Sequence, residues 1–463
     1  MFAALLLTAI SAVSLTDCVP VRWAPTNPSS LGLLGDSPAH CLVVDQPAWT
    51  PAFLAAARQR GDLVLAALPT QDADTAARTA LEAGVDALYA ETFVDPETAE
   101  RVAAIARQAG KPFVWLPQRV RMPLHPEANV QQQPVTGTFQ GLWAGVKLGK
   151  EGEAEAAPSG PPWIDTNSGF LRFARVMAAR QQALWIANGP PEGQHVPGSR
   201  YLQAIGDAEM AGARWVLRFP EDFWAQLISG QPTAFETWQR VQALVRFYQR
   251  HRSYGQWSDS SSLAIVQDIG SGALVSGSVV DMVESKHIPA MVVPPAFLQQ
   301  ASGQAWKLLL NIDPQSLSGV ESEAVRAAAR KGAMVINGPP QWRLALPPPS
   351  AVTFTDDQIA QLDEIWKEIN RVIGRENFGV RLFGAPSMLS NLKASPDGAT
   401  LALHLVNYSD YPVEAITVHT QRRFTKATLL TPGGEQNPEL YQHEDGSGID
   451  IDKVEDVAIL LLQ

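Results

Sequence analysis

Two segments of the 463-residue sequence place side chains where they could do chemistry. In Asp86-Ala-Leu-Tyr-Ala-Glu91 an apolar run leads directly into a carboxylate, and in Pro162-Trp-Ile-Asp-Thr-Asn167 an Asp and an Asn follow a Trp. A carboxyl group leaving an apolar strand is partly desolvated, the setting that suits a general acid. A Trp beside Asp and Asn offers a flat face for a sugar ring and polar groups for its hydroxyls. Cleaving a glycosidic bond takes two carboxyl groups, so Glu91 reads as the acid and Asp165 as its partner. Asp45, Gln118, Asn188 and Glu192 also follow apolar runs, and with Trp143, Trp163 and Asn167 they form a candidate substrate-binding set. Competing readings are structural. Glu91-Thr92 and Asp165-Thr-Asn167 both precede helical patterns and fit helix caps, as do Glu221 and Asp222. Asp45 is also placed to pair with Arg119 or Arg121, and Trp115, Trp143, Trp163 and Trp185 suit a core as well as a cleft.

The elements that must carry these residues alternate between short apolar runs and helix-patterned stretches, the signal of parallel strands joined by crossover helices. The expected strands are 40–45, 62–68, 86–91, 112–118, 141–147, 163–165, 183–187 and 214–218. That count and span match a TIM-type (β/α)8 barrel, with a doubly wound open sheet as the alternative. Catalytic groups of such barrels stand at the C-terminal strand ends, where Glu91 and Asp165 fall in this reading. From strands three and six they would face one another across the mouth at the wider spacing of about 6.5–9.5 Å, as in inverting enzymes.

Beyond Ser258-Asp-Ser-Ser-Ser262 a second α/β pattern runs through 263–267, 290–293, 306–310 and 333–336. It reads as a small flavodoxin- or amidotransferase-like sheet. Pro347-Pro-Pro349 marks a further boundary, and segments 401–406, 413–418, 426–430 and 457–462 read as a β-sandwich. The resulting division is a signal segment 1–17, a barrel 18–257, an α/β domain 258–346, a linker with helix 347–394 and a sandwich 395–463.

Composition narrows the function classes. Thirty-six Lys and Arg against 47 Asp and Glu give a net charge of -11, which disfavours nucleic acid as a partner. Glutamine amidotransferase chemistry needs a Cys nucleophile, and the two cysteines, Cys18 and Cys41, lie far from the second α/β pattern. No H-E-x-x-H, paired-Cys, Walker or nucleophile-elbow motif occurs, so neither metal nor cofactor is expected. The apolar stretch Phe2 to Leu15 suits a signal-peptide core and is too short to span a membrane, although Met1-Phe2 lacks the usual basic residue. Export favours a Cys18–Cys41 disulfide and a secreted or periplasmic location.

The order barrel, small α/β domain, sandwich resembles the beta-galactosidases of glycoside hydrolase family 42. The resemblance rests on residues 306–337, from Trp-Lys-Leu-Leu-Leu-Asn-Ile-Asp to Gly-Ala-Met-Val-Ile-Asn, and on Leu401-Ala-Leu-His-Leu-Val-Asn-Tyr-Ser409. It implies a trimerisation-type domain, hence a homo-oligomer, and a carbohydrate substrate. It also implies an Asn-Glu pair ending the fourth strand and a Glu ending the seventh, where this sequence carries Gln118 and Asn188. Two functions stay open: a secreted glycoside hydrolase, or a non-catalytic carbohydrate-binding or assembly protein on a degenerate barrel.

Overall fold

The computed structural model describes residues 14–91, 95–124, 133–146, 164–179, 181–190, 196–268, 270, 273–301, 305–338, 354–373 and 378–463. Its first region is built from short apolar strands, Cys41–Val44, Leu63–Ala67, Ala87–Ala90 and Phe113–Trp115 among them. Runs such as Cys-Leu-Val-Val are buried on both faces, as parallel strands flanked by helices must be. The helices between them start and stop on local chemistry. Thr50 caps Pro51–Arg60 by accepting from Phe53 N–H and left-handed Gly61 ends it, while Asp95 caps Pro96–Gln108 through Thr98 N–H.

Six strands pair in the order Leu217–Arg218, Pro20–Arg22, Cys41–Val44, Leu63–Ala67, Ala87–Ala90, Phe113–Trp115, all parallel. A second parallel sheet runs Arg214–Trp215, Ala183–Ile186, Val135–Thr138. The continuous segment 214–218 belongs to both, and Val216 N–H between its halves donates to Ile186 O at 2.8 Å. At the far side Phe139 N–H and Thr138 Oγ1 both donate to Pro117 O, at 3.3 and 2.7 Å. Alternate residues of the two sheets share one core: Val43, Leu65, Tyr89, Val114 and Leu116 from the first meet Val135, Trp185 and Val216 from the second. The opposite faces, Leu42, Val64, Leu88, Leu184 and Ile186 among them, pack with the helices.

Two expected strands are corrected. Of the expected strands 141–147 and 163–165, the described residues 141–146 and 164–165 contribute no parallel strand; Gly145–Val146 and Ile164–Asp165 instead form a small antiparallel ribbon. The parallel strands in their stead are Pro20–Arg22 and Val135–Thr138. Val-Thr-Gly-Thr has little apolar signal, and its glycine is dictated by close approach: a Cβ on Gly137 would lie 2.0 Å from Trp185 O. Cys18 and Cys41 are disulfide-bonded, with Cα atoms 5.6 Å apart, inside the shared core. Leu15 is buried in that core, and Arg252 holds Asp17 and the Thr16 carbonyl, so residues 15–17 belong to the folded domain.

The second region is a parallel sheet ordered Met291–Val293, Leu263–Val266, Leu308–Asn311, Met334–Asn337. The third holds two antiparallel sheets, including Val380–Phe383 and Met388–Ala394, which the sequence reading left in a linker, and Ser258–Asp259 at one edge. Helix Ser168–Met177 docks on helix Ala273–Ser285 where two glycines meet. A Cβ on Gly169 would fall 2.2 Å from Gly277 O, a backbone atom that cannot swing aside. Gly169→Ala is therefore expected to lower unfolding free energy in urea by about 1–3 kcal/mol through overpacking; an unchanged midpoint would show that the two helices are free to separate.

Candidate functional site

The C-terminal ends of the parallel strands present Arg22, Asp45, Glu91 and Arg218. Three of them, Arg22, Asp45 and Arg218, line a cavity of about 790 Å³ that is also bordered by helices Gly198–Met210, Glu221–Ile228 and Pro232–Gly255, and Glu91 is linked to its wall through Arg218. Strand alternation explains the grouping. Tyr89 and Glu91 are two residues apart, so both project from the inner face, one pleat above the other.

Glu91 is held on both oxygens. Tyr89 OH donates to Oε1 at 2.7 Å and Arg218 Nη1 to Oε2 at 3.1 Å, with only 15% of the Glu91 side chain exposed. Burial, and then the Glu91 charge, push the Tyr89 phenol well above its ordinary range, so it remains a donor. Arg22 pairs with Asp45 at 3.0 Å, which corrects the Arg119 or Arg121 partner expected from sequence. Glu221 and Asp222 line the cavity from the first turn of their helix, where a negative charge meets the helix dipole favourably. They are not its caps: Pro220 is the N-cap, without a side-chain bond.

The apolar wall is a column of rings. Tyr201 stacks on Phe219 at 4.4 Å and Phe219 on Phe223 at 4.3 Å, with Trp143 edge-on to Tyr201 at 5.2 Å. Trp143 Nε1 donates to Gly189 O, which fixes its ring. Tyr201 borders the cavity, is 2% exposed, and among the described residues its hydroxyl has no hydrogen-bond partner. Burial and the nearby Asp222 charge raise its phenol pKa.

The other expected residues stand elsewhere. Asp165 does not end a parallel strand; it lies on the antiparallel ribbon and borders a separate pocket of about 30 Å³ with Arg119 and Asp281. Asn167 is buried in the fold: its backbone and side-chain amides both donate to Asp207 at 2.8 Å, and its carbonyl oxygen accepts from Arg119 and from Leu142 N–H. Gln118 leads into a 3-10 turn without a side-chain cap bond, and Asn188 Nδ2 donates to Gly141 O. Trp185 is enclosed in the inner core. Trp163 and Glu192 lie outside the described residues. Sequence reasoning thus brought Asp45 and Glu91 to one region and missed Arg22, Tyr89, Tyr201 and Arg218. Trp-Val-Leu-Arg218 carries the same strand-end signal as Ala-Leu-Tyr-Ala-Glu91, with a cation in place of the carboxylate. Among the described residues no group of three His, Cys, Asp or Glu is arranged to hold a metal, and no helix is long and apolar enough to cross a membrane.

No protein-family model matches the sequence. No curated protein matches it either. Solved structures do. Isoenzyme 2 of alpha-L-fucosidase from Paenibacillus thiaminolyticus aligns over 97% of this chain and 99% of its own, with a TM-score of 0.60 and 11% identity. Alpha-galactosidase I from Mortierella vinacea aligns over 97% and 98% at a TM-score of 0.42 and 7% identity. A debranching enzyme from Nostoc punctiforme aligns over 93% and 87% at 0.38 and 8%. The two weaker alignments carry no argument, and the first shows a shared fold along nearly the whole chain. That fold, mixed α/β with parallel sheets and a C-terminal antiparallel region, is one found in glycoside hydrolases and is not tied to family 42 in particular.

Proposed function

We propose that the two parallel sheets form one (β/α)8 barrel and that the protein is an exported glycoside hydrolase acting in the cavity at its mouth. The shared inner core supports the closure, since residues of both sheets fill one interior. The observation that carries the function is Glu91, a nearly buried carboxylate held by Tyr89 and by Arg218, itself a residue of the aromatic-walled cavity. In this reading Glu91 is the nucleophile or charge stabiliser, a role that an orienting hydroxyl and a guanidinium serve better than the acid role expected from sequence. Asp222, which lines the cavity from the first turn of its helix, supplies the second carboxyl. Asp165 takes no part, being at the separate small pocket. Phe223, partly exposed at the end of the ring column, would meet the apolar face of a sugar, with Phe219 and Tyr201 packed behind it. The family 42 catalytic pair is no part of the proposal, because Asn188 serves the Gly141 carbonyl instead. Export is supported by the buried Cys18–Cys41 disulfide, and cleavage would precede Leu15, which is part of the core.

A non-catalytic sugar-binding role is favoured by one observation, that both Glu91 oxygens are already bonded. A panel of aryl glycosides separates the two. The enzyme reading expects turnover of at least one, with Glu91→Gln lowering kcat about 1,000-fold while sugar binding persists. Full turnover in that variant would move the chemistry to another residue; binding without turnover in the wild type would establish the second role. Tyr201→Phe is expected to leave urea stability unchanged or slightly raised, since an unpaired buried hydroxyl is removed, and Phe223→Ala to weaken sugar affinity about 2- to 10-fold by calorimetry. Undiminished affinity would place the sugar elsewhere.

A further inference from the structure

A second cavity, of about 420 Å³, lies at the opposite end of the parallel strands. It is bordered by the strand starts Ala183 and Arg214, by Thr16 and Asp17, by the end of helix Pro232–Gly255, and by His404 of the antiparallel region. Three guanidinium groups from three elements reach it: Arg175, Arg214 and Arg252. Among the described residues only Arg252 has a carboxylate in ion-pair range, Asp17 at 2.5 Å, whose side chain is 61% exposed. Arg175 donates to the carbonyls of Gln182 and Ala179, and Arg214 to the Asp17 carbonyl and Gln249. These neutral partners leave positive charge uncompensated. Burial, and then repulsion from Arg252, lower the pKa of Arg175; Arg214, lowered to about 10, feels burial and Arg252 against the pull of Glu209.

Two groups at this wall lack the partner their position calls for. Glu209 has no cation within ion-pair distance among the described residues, and burial pushes it up to about 7 against the attraction of Arg214 and Arg252. His404 is 1% exposed and among the described residues neither ring nitrogen has a partner in good hydrogen-bonding geometry, although the Tyr254 backbone is near. A cavity this size exceeds a bare ion and suits a small ligand.

We propose that this cavity binds a tetrahedral oxyanion, a sulfate or phosphate group that is free or carried on a monosaccharide. Arg175, Arg214 and Arg252 would donate to its oxygens. Protonated Glu209 would donate as well, whereas ionised Glu209 would repel the anion. Of the other groups facing Glu209, His251 is lowered by burial, His404 is kept neutral by burial, the Tyr248 phenol is raised by burial, and Asp17 stays with Arg252. Glu209 is the group among them that its surroundings bring to about 7.

Calorimetric titration of the full chain with sodium sulfate against sodium chloride at equal ionic strength tests this, because sulfate also stabilises folded proteins without binding. Sulfate keeps its charge between pH 6 and 8. Saturable binding several-fold tighter at pH 6 is expected. Glu209→Gln, which keeps the shape, should bind at pH 8 as the wild type does at pH 6, and Arg175→Gln should weaken binding about 10-fold. Glucose 6-sulfate binding more tightly than sulfate assigns a carried group, and equal binding a free anion. No saturable sulfate heat, or a pH dependence that survives Glu209→Gln, overturns the proposal, and the latter holds even if the Arg175 variant fails to fold.

Discussion

The three regions are fastened by one buried cation. Arg172, with 1% of its side chain exposed, leaves helix Ser168–Met177 and donates to Asp259, Glu284 and the Ala290 carbonyl. Asp259 in turn accepts from Lys393 at 3.1 Å, so the parallel-sheet region, the small α/β region and the antiparallel region share one charge network. Burying a guanidinium is costly unless it is fully paired, and removing one member of such a set costs about 3–5 kcal/mol. The acids divide the work. Burial alone would raise Asp259, but Arg172 and Lys393 hold it at about 2, whereas burial outweighs Arg172 at Glu284 and leaves it at about 7.

Helix Gly198–Met210 transmits that rigidity to the mouth. It carries Tyr201 to the aromatic column, Asp207 to a buried junction and Glu209 to the cavity at the opposite end. Asp207 accepts from Asn167 and from Tyr408 OH at 2.8 Å, tying the helix to the antiparallel region. Gly206 is part of the same joint, because a Cβ there would meet Val457 at 2.8 Å. A ring placed on such a helix has little freedom to move, which is what a pre-organised binding wall requires.

Legibility in the sequence followed hydrophobic patterning. The strands around Cys41–Val44 to Phe113–Trp115 are apolar runs bounded by capped helices, and Glu91 could be placed because Tyr89 and the alternation before it set the inner face. Val135–Thr138 escaped because its fit depends on a missing Cβ at Gly137, a tertiary constraint without periodic signal. Asp165 was misplaced for the same reason, since Trp-Ile-Asp reads equally well as a barrel strand or a ribbon edge. Asn167 carried the polar signature of a ligand, but the nearest use for it was a buried guanidinium, Arg119, separated by 48 residues. Pairings at that distance are invisible to local pattern.

The buried titrating groups lie at the junctions and oppose one another. Glu209 and Glu284, both raised to about 7, keep a proton in the folded chain that the unfolded chain releases near its ordinary pKa of about 4.3. Their contribution is present in acid and is lost as pH rises towards 7. Buried His404 and His287, lowered to about 3 and about 4, resist a proton that the unfolded chain takes up near about 6.5. Their contribution is present above that pH and is lost as pH falls. Across the interval between those two unfolded values the slopes have opposite signs and partly cancel, so the junctions hold over a broad range of acidity. The carboxylates at the mouth lie apart from these junctions, Asp45 with Arg22 and Glu91 with Arg218.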